Sequence, residues 1–207
     1  MADSSSNANP DCFAAADLDE AVGRLVAVIR RERPQVIVTY SDDQQGYPHP
    51  DHLRVHDISI VAFDAAGDPD AFPHAGAPWQ PLKLYYSAWA KARMMAIHEK
   101  FLELGMESPF DQKWLDRPGL DDRITTKIDV SAGYDIRKEP LLAHATQIDP
   151  NSPFWFGLPP DVTSFYPRPD YILARSLLHL PPIFPHDVLF PCLPVPPPPQ
   201  PARQPPP

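Results

Sequence analysis

Leu18, Val22, Leu25, Val26 and Ile29 recur three and four residues apart, which lays apolar side chains along one stripe of a helix. Asp17 stands just ahead, and Glu20 follows three positions on, as in a capping box. Arg30, Arg31 and Arg33 crowd the last turn, where positive charge suits a helix's carbonyl end, and Pro34 stops it. Gln35–Tyr40 follows at once. It is short, β-branched and without alternation, the pattern of a strand buried on both faces of a parallel sheet. Residues 51–66 predict a second helix ending at Gly67, a good residue for a left-handed C-terminal cap. Lys83–Ser87 predicts a strand, and 88–104 a helix stopped by Gly105. Residues 123–130 alternate and predict a strand with one exposed face. Residues 141–147 predict a short helix with Pro140 near its first turn, and Tyr171–Ala174 a last strand. The first sixteen residues are small and polar and predict a loop or a frayed end.

Helix, tight turn, buried strand, polar loop, helix is the rhythm of an α/β fold. In such sheets ligands bind beyond the carboxyl ends of the strands. Chemistry is therefore sought in the segment after Tyr40.

Composition changes this picture in two ways. The chain has 207 residues, 43% of them hydrophobic, enough for one packed core. Its net charge of −9 argues against nucleic-acid binding, which calls for a basic stripe. No run of eighteen apolar residues could span a membrane, and the N-terminus shows no export signal, so a cytoplasmic protein is expected. Cys12 and Cys192 lie in the flanks and support neither a disulfide framework nor a cysteine zinc site. Of the 30 prolines, 13 fall between Pro181 and Pro207. The expected organisation is a flexible segment 1–16, an α/β domain 17–180, and an extended, disordered proline-rich tail 181–207. Pro194–Pro199 in that tail could serve an SH3- or WW-like partner, or be a non-functional extension.

Between Tyr47 and His52 the chain places a tyrosine, two histidines and an aspartate. Neutral imidazole is a common zinc ligand, and a nearby carboxylate can fix its tautomer. His52 and His56 also have the one-turn spacing of metalloprotease helices, but the run His-Leu-Arg-Val-His lacks the required glutamate. The bland alternative is a helix start in which Asp51 caps and the histidines are partly exposed. Elsewhere, His144 reads as a packing histidine, Gln147 as a possible substrate contact, and His74 and His98 as solvated. Met94, Met95, Phe101 and Leu104 read as core. Trp79, Trp89, Trp114 and Trp155 could line a thioether pocket or simply be buried.

Gly46-Tyr47-Pro48-His49-Pro50-Asp51-His52 resembles the second signature of the PIG-L/LmbE-like zinc deacetylases. Within that superfamily the likeness runs furthest with the mycothiol S-conjugate amidases. Arg33-Pro34, Ala65–Asp68, Lys83–Tyr86, Arg123–Thr126, Ala143–Asn151 and Leu173–Ser176 agree in the same order. Inositol-glucosamine deacetylases share the Pro-Asp-His core and the Ala-His-Ala-Thr-Gln segment, whereas the Ile148-Asp149-Pro150-Asn151 continuation favours the amidase. The resemblance implies a Rossmann-like α/β fold with a parallel sheet, one catalytic zinc, and hydrolysis of an amide joining a cysteinyl S-conjugate to glucosaminyl-inositol. It matches His52 to the zinc ligand and His49 to the general acid and oxyanion stabiliser. It matches Tyr47 to the tyrosine holding the tetrahedral intermediate, and Asp51 to the carboxylate that tunes the histidines. The expected partner is a small-molecule substrate, not nucleic acid or membrane; oligomeric state is not readable.

The family's first signature, Ala-His-Pro-Asp-Asp, does not occur in the chain, and Asp42-Asp43 lacks the preceding histidine. That signature supplies two further zinc ligands and the general base. The chain therefore resembles the C-terminal part of the family's domain, with the opening strands missing, and is expected to be incomplete or inactive as written. The remaining alternatives are the deacetylase activity, or a non-catalytic fragment that presents the proline-rich tail.

Overall fold

The computed structural model describes residues 5–44, 48–156, 169–178 and 189. In chain order the elements are α1 (Leu18–Glu32), β1 (Val36–Tyr40), α2 (Pro50–Ala65), β2 (Lys83–Ala88), α3 (Lys91–Glu103), α4 (Gln112–Leu115), β3 (Thr126–Lys127), α5 (Lys138–Ala143), α6 (Pro153–Phe156) and β4 (Asp170–Ser176). Short 3-10 turns occur at Ser5–Ala8, Phe13–Ala15, Asp121–Arg123 and Ser131–Arg137.

Helix α1 forms as its pattern requires. The Asp17 carboxylate accepts the Glu20 N–H at 2.8 Å. Glu20 does not complete the box; its carboxylate turns to Arg24 one turn on. Ala21, Val22, Val26 and Ile29 are buried against Ile58, Ala62 and Ala66, so α1 and α2 share one apolar layer. Arg33 closes the helix in the left-handed region at φ 52°, just before Pro34. Within the arginine cluster the structure departs from the helix-dipole reading. Arg30 is only 5% exposed and does not serve the end of its own helix. Its guanidinium reaches the end of α2 and donates to the carbonyls of Ala65, Ala66, Asp68, Ala71, Phe72 and Gly76. Gly67 departs too. It does not take a left-handed conformation, unlike Gly76 and Gly105. A Cβ there would run into the Gln80 side chain, so glycine leaves room for its close approach.

The four strands form one sheet in the order β1-β2-β4-β3. Only β1 and β2 run parallel, Val36 facing Lys83 and Tyr40 facing Ser87. Strands β2 and β4, and β3 and β4, are antiparallel. The α/β class is as expected and consistent with a Rossmann-like fold, but the sheet is mixed. The expectation that β1 is buried on both faces fails. Ile37 and Thr39 face the helix layer, Thr39 bonding Ser59 of α2 at 2.8 Å. On the other face Val38 is 47% and Tyr40 38% exposed. Among the described residues β1 pairs with β2 alone, and the helix layer covers one face, so its β-branched run is half used. A second cluster packs Phe63 of α2 on Leu84, Tyr86 and Ala88 of β2, with Leu120 and Ile172.

Four segments differ from expectation. Helix α3 starts at Lys91, where the Asp121 carboxylate accepts the N–H groups of Lys91 and Ala92 at 2.8 and 3.0 Å. A cap so remote in sequence leaves no local signal. The strand expected over 123–130 shrinks to Thr126–Lys127, because Asp129 accepts from both the N–H and hydroxyl of Ser131 and turns the chain away. Helix α5 begins at Lys138 and ends at Ala143, so 144–147 is a turn. Residues 5–16, read as a loop or frayed end, include a 3-10 turn hydrogen-bonded to α2. The proline-rich tail lies outside the described residues, Leu189 excepted.

Candidate active site at the start of the second helix

The loop after β1 leads to α2 at the carboxyl end of the parallel pair, where the fold directs a ligand. Pro50 occupies the first helical turn, where its missing N–H costs nothing. The cap is not Asp51, as the bland reading had it, but His49. Its Nδ1 accepts the Asp51 N–H at 3.2 Å. His49, His52 and His56 then fall at positions i, i+3 and i+7 of one helical stripe.

The structure brings the first two together, their ring centroids 5.2 Å apart. His52 also stacks on Tyr40, the last residue of β1, at 4.1 Å and 10°. His56 lies with Nδ1 3.2 Å from the Tyr40 carbonyl oxygen and its ring 5.2 Å from Tyr86 of β2. Asp51 sits between the histidines in sequence, with Oδ2 4.0 Å from His49 Nδ1. Its other oxygen accepts the Ala14 N–H at 3.0 Å. Burial, and the charge that His49 would carry, hold the His52 imidazole below its ordinary value; Asp51 opposes this. His52 is thus kept neutral, the form that binds a metal.

Tyr47 lies outside the described residues, so its assigned part is untested. Sequence reasoning missed Tyr40 and Tyr86, which flank the histidines, and the pair Asp42–Arg123. Arg123 donates to Asp42 at 3.0 Å from 81 residues away. Burial opposes ionisation of Asp42, but the Ser41 hydroxyl, Arg123 and the Asp43 N–H together hold its carboxyl below the usual value. Tyr86 is pushed up by burial, then by the Asp42 charge. Tyr40 was findable, since the last residue of a parallel strand borders the ligand edge. Tyr86 and Arg123 arrive only through strand pairing and a long loop.

Other candidates scatter. His144 and Gln147 sit on an exposed turn. His98 is not free in solvent; its Nδ1 is 2.8 Å from the Ser108 hydroxyl. Met94 and Phe101 are core, but Leu104 is exposed. Trp79, Trp89 and Trp114 are each covered by a different arginine, Arg33, Arg93 and Arg117.

Zinc was expected here. Among the described residues no three histidine, cysteine, aspartate or glutamate side chains gather closely enough to hold a metal ion. A catalytic zinc site takes three protein ligands and keeps one position open. The described residues alone therefore do not fit the metal, although the His49–His52 pair has the right donors. No helix among them is long and apolar enough to cross a membrane.

A histidine pair on a helix that opens at the carboxyl end of a parallel strand gives this α/β fold a candidate ligand site. Over most of its length the chain is similar to two related groups of curated enzymes. It is 41% identical over 186 residues to mycothiol S-conjugate amidase of Streptomyces coelicolor, covering 86% of this chain and 62% of the relative. It is 38% identical over 184 residues to 1D-myo-inositol 2-acetamido-2-deoxy-alpha-D-glucopyranoside deacetylase 1 of Frankia alni, covering 85% and 62%. A deacetylase of Thermobispora bispora is 43% identical over 157 residues, covering 74% and 50%. The chain thus spans about half to three-fifths of the length of these curated relatives. No family model matches it.

Proposed function

We propose that this chain supplies the histidine signature of a zinc-dependent amidohydrolase acting on a mycothiol S-conjugate, at the amide between the cysteinyl group and glucosaminyl-inositol. One observation carries the reading: His49 and His52 converge to 5.2 Å at the carboxyl end of β1, with the Asp51 carboxylate beside His49. The names of the relatives support the substrate class, and the Ile148–Asn151 run, by family resemblance alone, points to the amidase.

The chemistry of the chain's own residues is coherent. With Nδ1 accepting the Asp51 N–H, neutral His49 carries its proton on Nε2 and presents it as a donor. A donor aimed at a developing oxyanion is worth about 3 kcal/mol of barrier. A proton released from the attacking water can enter at Nδ1 only as the Asp51 N–H lets go of it, and it then faces the Asp51 carboxylate 4.0 Å away. The ring in turn gives its Nε2 proton to the departing amine and keeps the one at Nδ1. His52, kept neutral and braced on Tyr40, is the metal ligand in this reading. Tyr47 is assigned to the oxyanion by family resemblance. The described residues do not by themselves complete a metal site.

The test compares two proteins. The 207-residue chain, purified and given zinc, is expected to retain well below one equivalent and to cleave neither an S-conjugate nor the acetylated substrate. A fusion adding the part of the S. coelicolor relative that this chain does not match is expected to bind zinc and cleave the S-conjugate in preference. His49→Ala in the fusion should lower kcat about 10²-fold or more. Preference for the acetylated substrate would favour the deacetylase. A fusion that binds zinc yet cleaves neither would refute the reading.

A further inference from the structure

The Asp51 carboxylate lies in the first turn of α2, with a side chain 43% exposed. A carboxylate so placed ordinarily has several staggered orientations open to it, toward solvent or its own helix's N–H groups. Here one orientation is held from outside the helix. Ala14, 37 residues upstream in the turn Phe13–Ala15, donates its N–H to Asp51 Oδ1 at 3.0 Å. One turn along the same face, Arg54 donates through Nε and Nη2 to the Ala14 carbonyl, at 3.1 and 2.6 Å. Residue 14 is therefore gripped on both sides, its N–H by an anion and its C=O by a cation. Bonds of this charge-assisted kind are about twice as strong as neutral ones. With Oδ1 fixed, Oδ2 is left toward His49 Nδ1 at 4.0 Å, while the Asp51 N–H caps that same nitrogen.

We propose that Arg54 is a positioning residue: acting through the Ala14 peptide groups, it fixes Asp51 at the start of α2 and, through the Asp51 N–H on Nδ1, the orientation and tautomer of His49. The proposal deepens the assigned site and rests on that reading for its importance to reaction, though not for its geometry. Arg54 touches no reacting atom. Its planar fork suits a single carbonyl approached by two N–H groups, so lysine should replace it only in part.

The experiment follows the intact chain by NMR, with 15N-labelled histidine, at a pH where imidazole is neutral. The variants are Arg54→Met, which keeps the apolar stem, and Arg54→Lys. In Arg54→Met the Ala14 amide is expected to exchange about tenfold faster or more, while Val26 in α1 keeps its protection. The His49 ring is expected to change from one Nε2–H tautomer to a mixture. Arg54→Lys should recover part of both effects. An unchanged His49 signature in Arg54→Met overturns the proposal, including when the thermal midpoint falls, because that pattern marks a structural anchor only. Should Arg54→Met unfold, Arg54→Lys carries the same two readouts, and an unchanged His49 there overturns the proposal equally. None of these readouts uses hydrolysis. A shifted His49 in a chain whose zinc-bound fusion cleaves nothing would uphold the clamp and remove the functional reading.

Discussion

The two ends of α2 are built in opposite ways. At the carboxyl end a buried cation, Arg30, meets six backbone carbonyls, and the segment from Ala65 to Gly76 is folded around it. At the amino end, residues 49–56 show three partly exposed imidazoles and one carboxylate, tied to the Phe13–Ala15 turn and to Tyr40 but not closed over. The first is satisfied and closed. The second keeps donors and acceptors accessible, as chemistry requires. One helix is anchored at one end and available at the other, and the cost of exposing polar groups at the site is offset where nothing reacts.

Arg30→Met tests the anchored end most severely. It leaves buried carbonyls without donors, at about 1–3 kcal/mol each before water or relaxation repairs some. A loss of about 3 kcal/mol or more is expected in urea unfolding. Arg30→Lys should recover little, since an ammonium cannot span carbonyls on several sides. A loss below about 1 kcal/mol would erase the contrast between the two ends.

Gly67→Ala belongs to the same end and should cost less, about 1–2 kcal/mol. The new methyl would displace the Gln80 side chain, whose amide donates to the carbonyls of Phe63 and Pro81. On a Gln80→Ala background, which keeps only the Cβ contact at 3.0 Å, the same change should cost distinctly less. A double-mutant cycle reads that difference directly.

His52→Gln, at the open end, should change stability at neutral pH by less than about 1 kcal/mol, roughly the worth of one ring stack. Its signature is in pH. The folded chain holds the His52 imidazole below the ordinary 6.5 by burial and by His49. Below that value the unfolded chain binds more protons than the folded one, so stability is complete above it and is lost as pH falls. Urea midpoints at about pH 7.5 and about pH 5.5 should converge in His52→Gln relative to the parent chain. Equal slopes in the two proteins would remove His52 from the neutral, partly buried role.

Arg123→Met should have the smallest effect. It frees an exposed carboxylate whose ionisation Arg123 favours, so the Asp42 signal should titrate closer to the ordinary 3.8. Stability at neutral pH should move by no more than a few tenths of a kcal/mol. A larger change would mean that the open end is braced more firmly than its geometry indicates.

Several local features were legible because they are set by neighbours in the chain. The α1 stripe, the Asp17 cap, the Arg33-Pro34 stop, the parallel β1–β2 strands and the Gly105 stop follow from period and backbone preference. The His49–His52 pair follows from placing a short polar motif after a buried strand. The strand at 123–130 misled, because alternation reports which residues suit a sheet and not whether a partner strand runs beside them. Gly67 misled because glycine answers two needs, a left-handed backbone and space, and sequence does not separate them.

By itself the sequence determined the α/β class, the helices and strands that carry the site, and the stretch after β1 where its histidines stand. These depend on interactions within a turn or two of chain, which spacing encodes directly. Tertiary structure decided what depends on partners far apart. Arg30 serves the end of another helix, β4 enters antiparallel between β2 and β3, Asp121 caps α3, and Ala14 reaches Asp51. Each is a bond between a polar group and whichever segment the fold brings beside it. A charged residue's type records that it needs a partner, but only the packed chain fixes which one it finds.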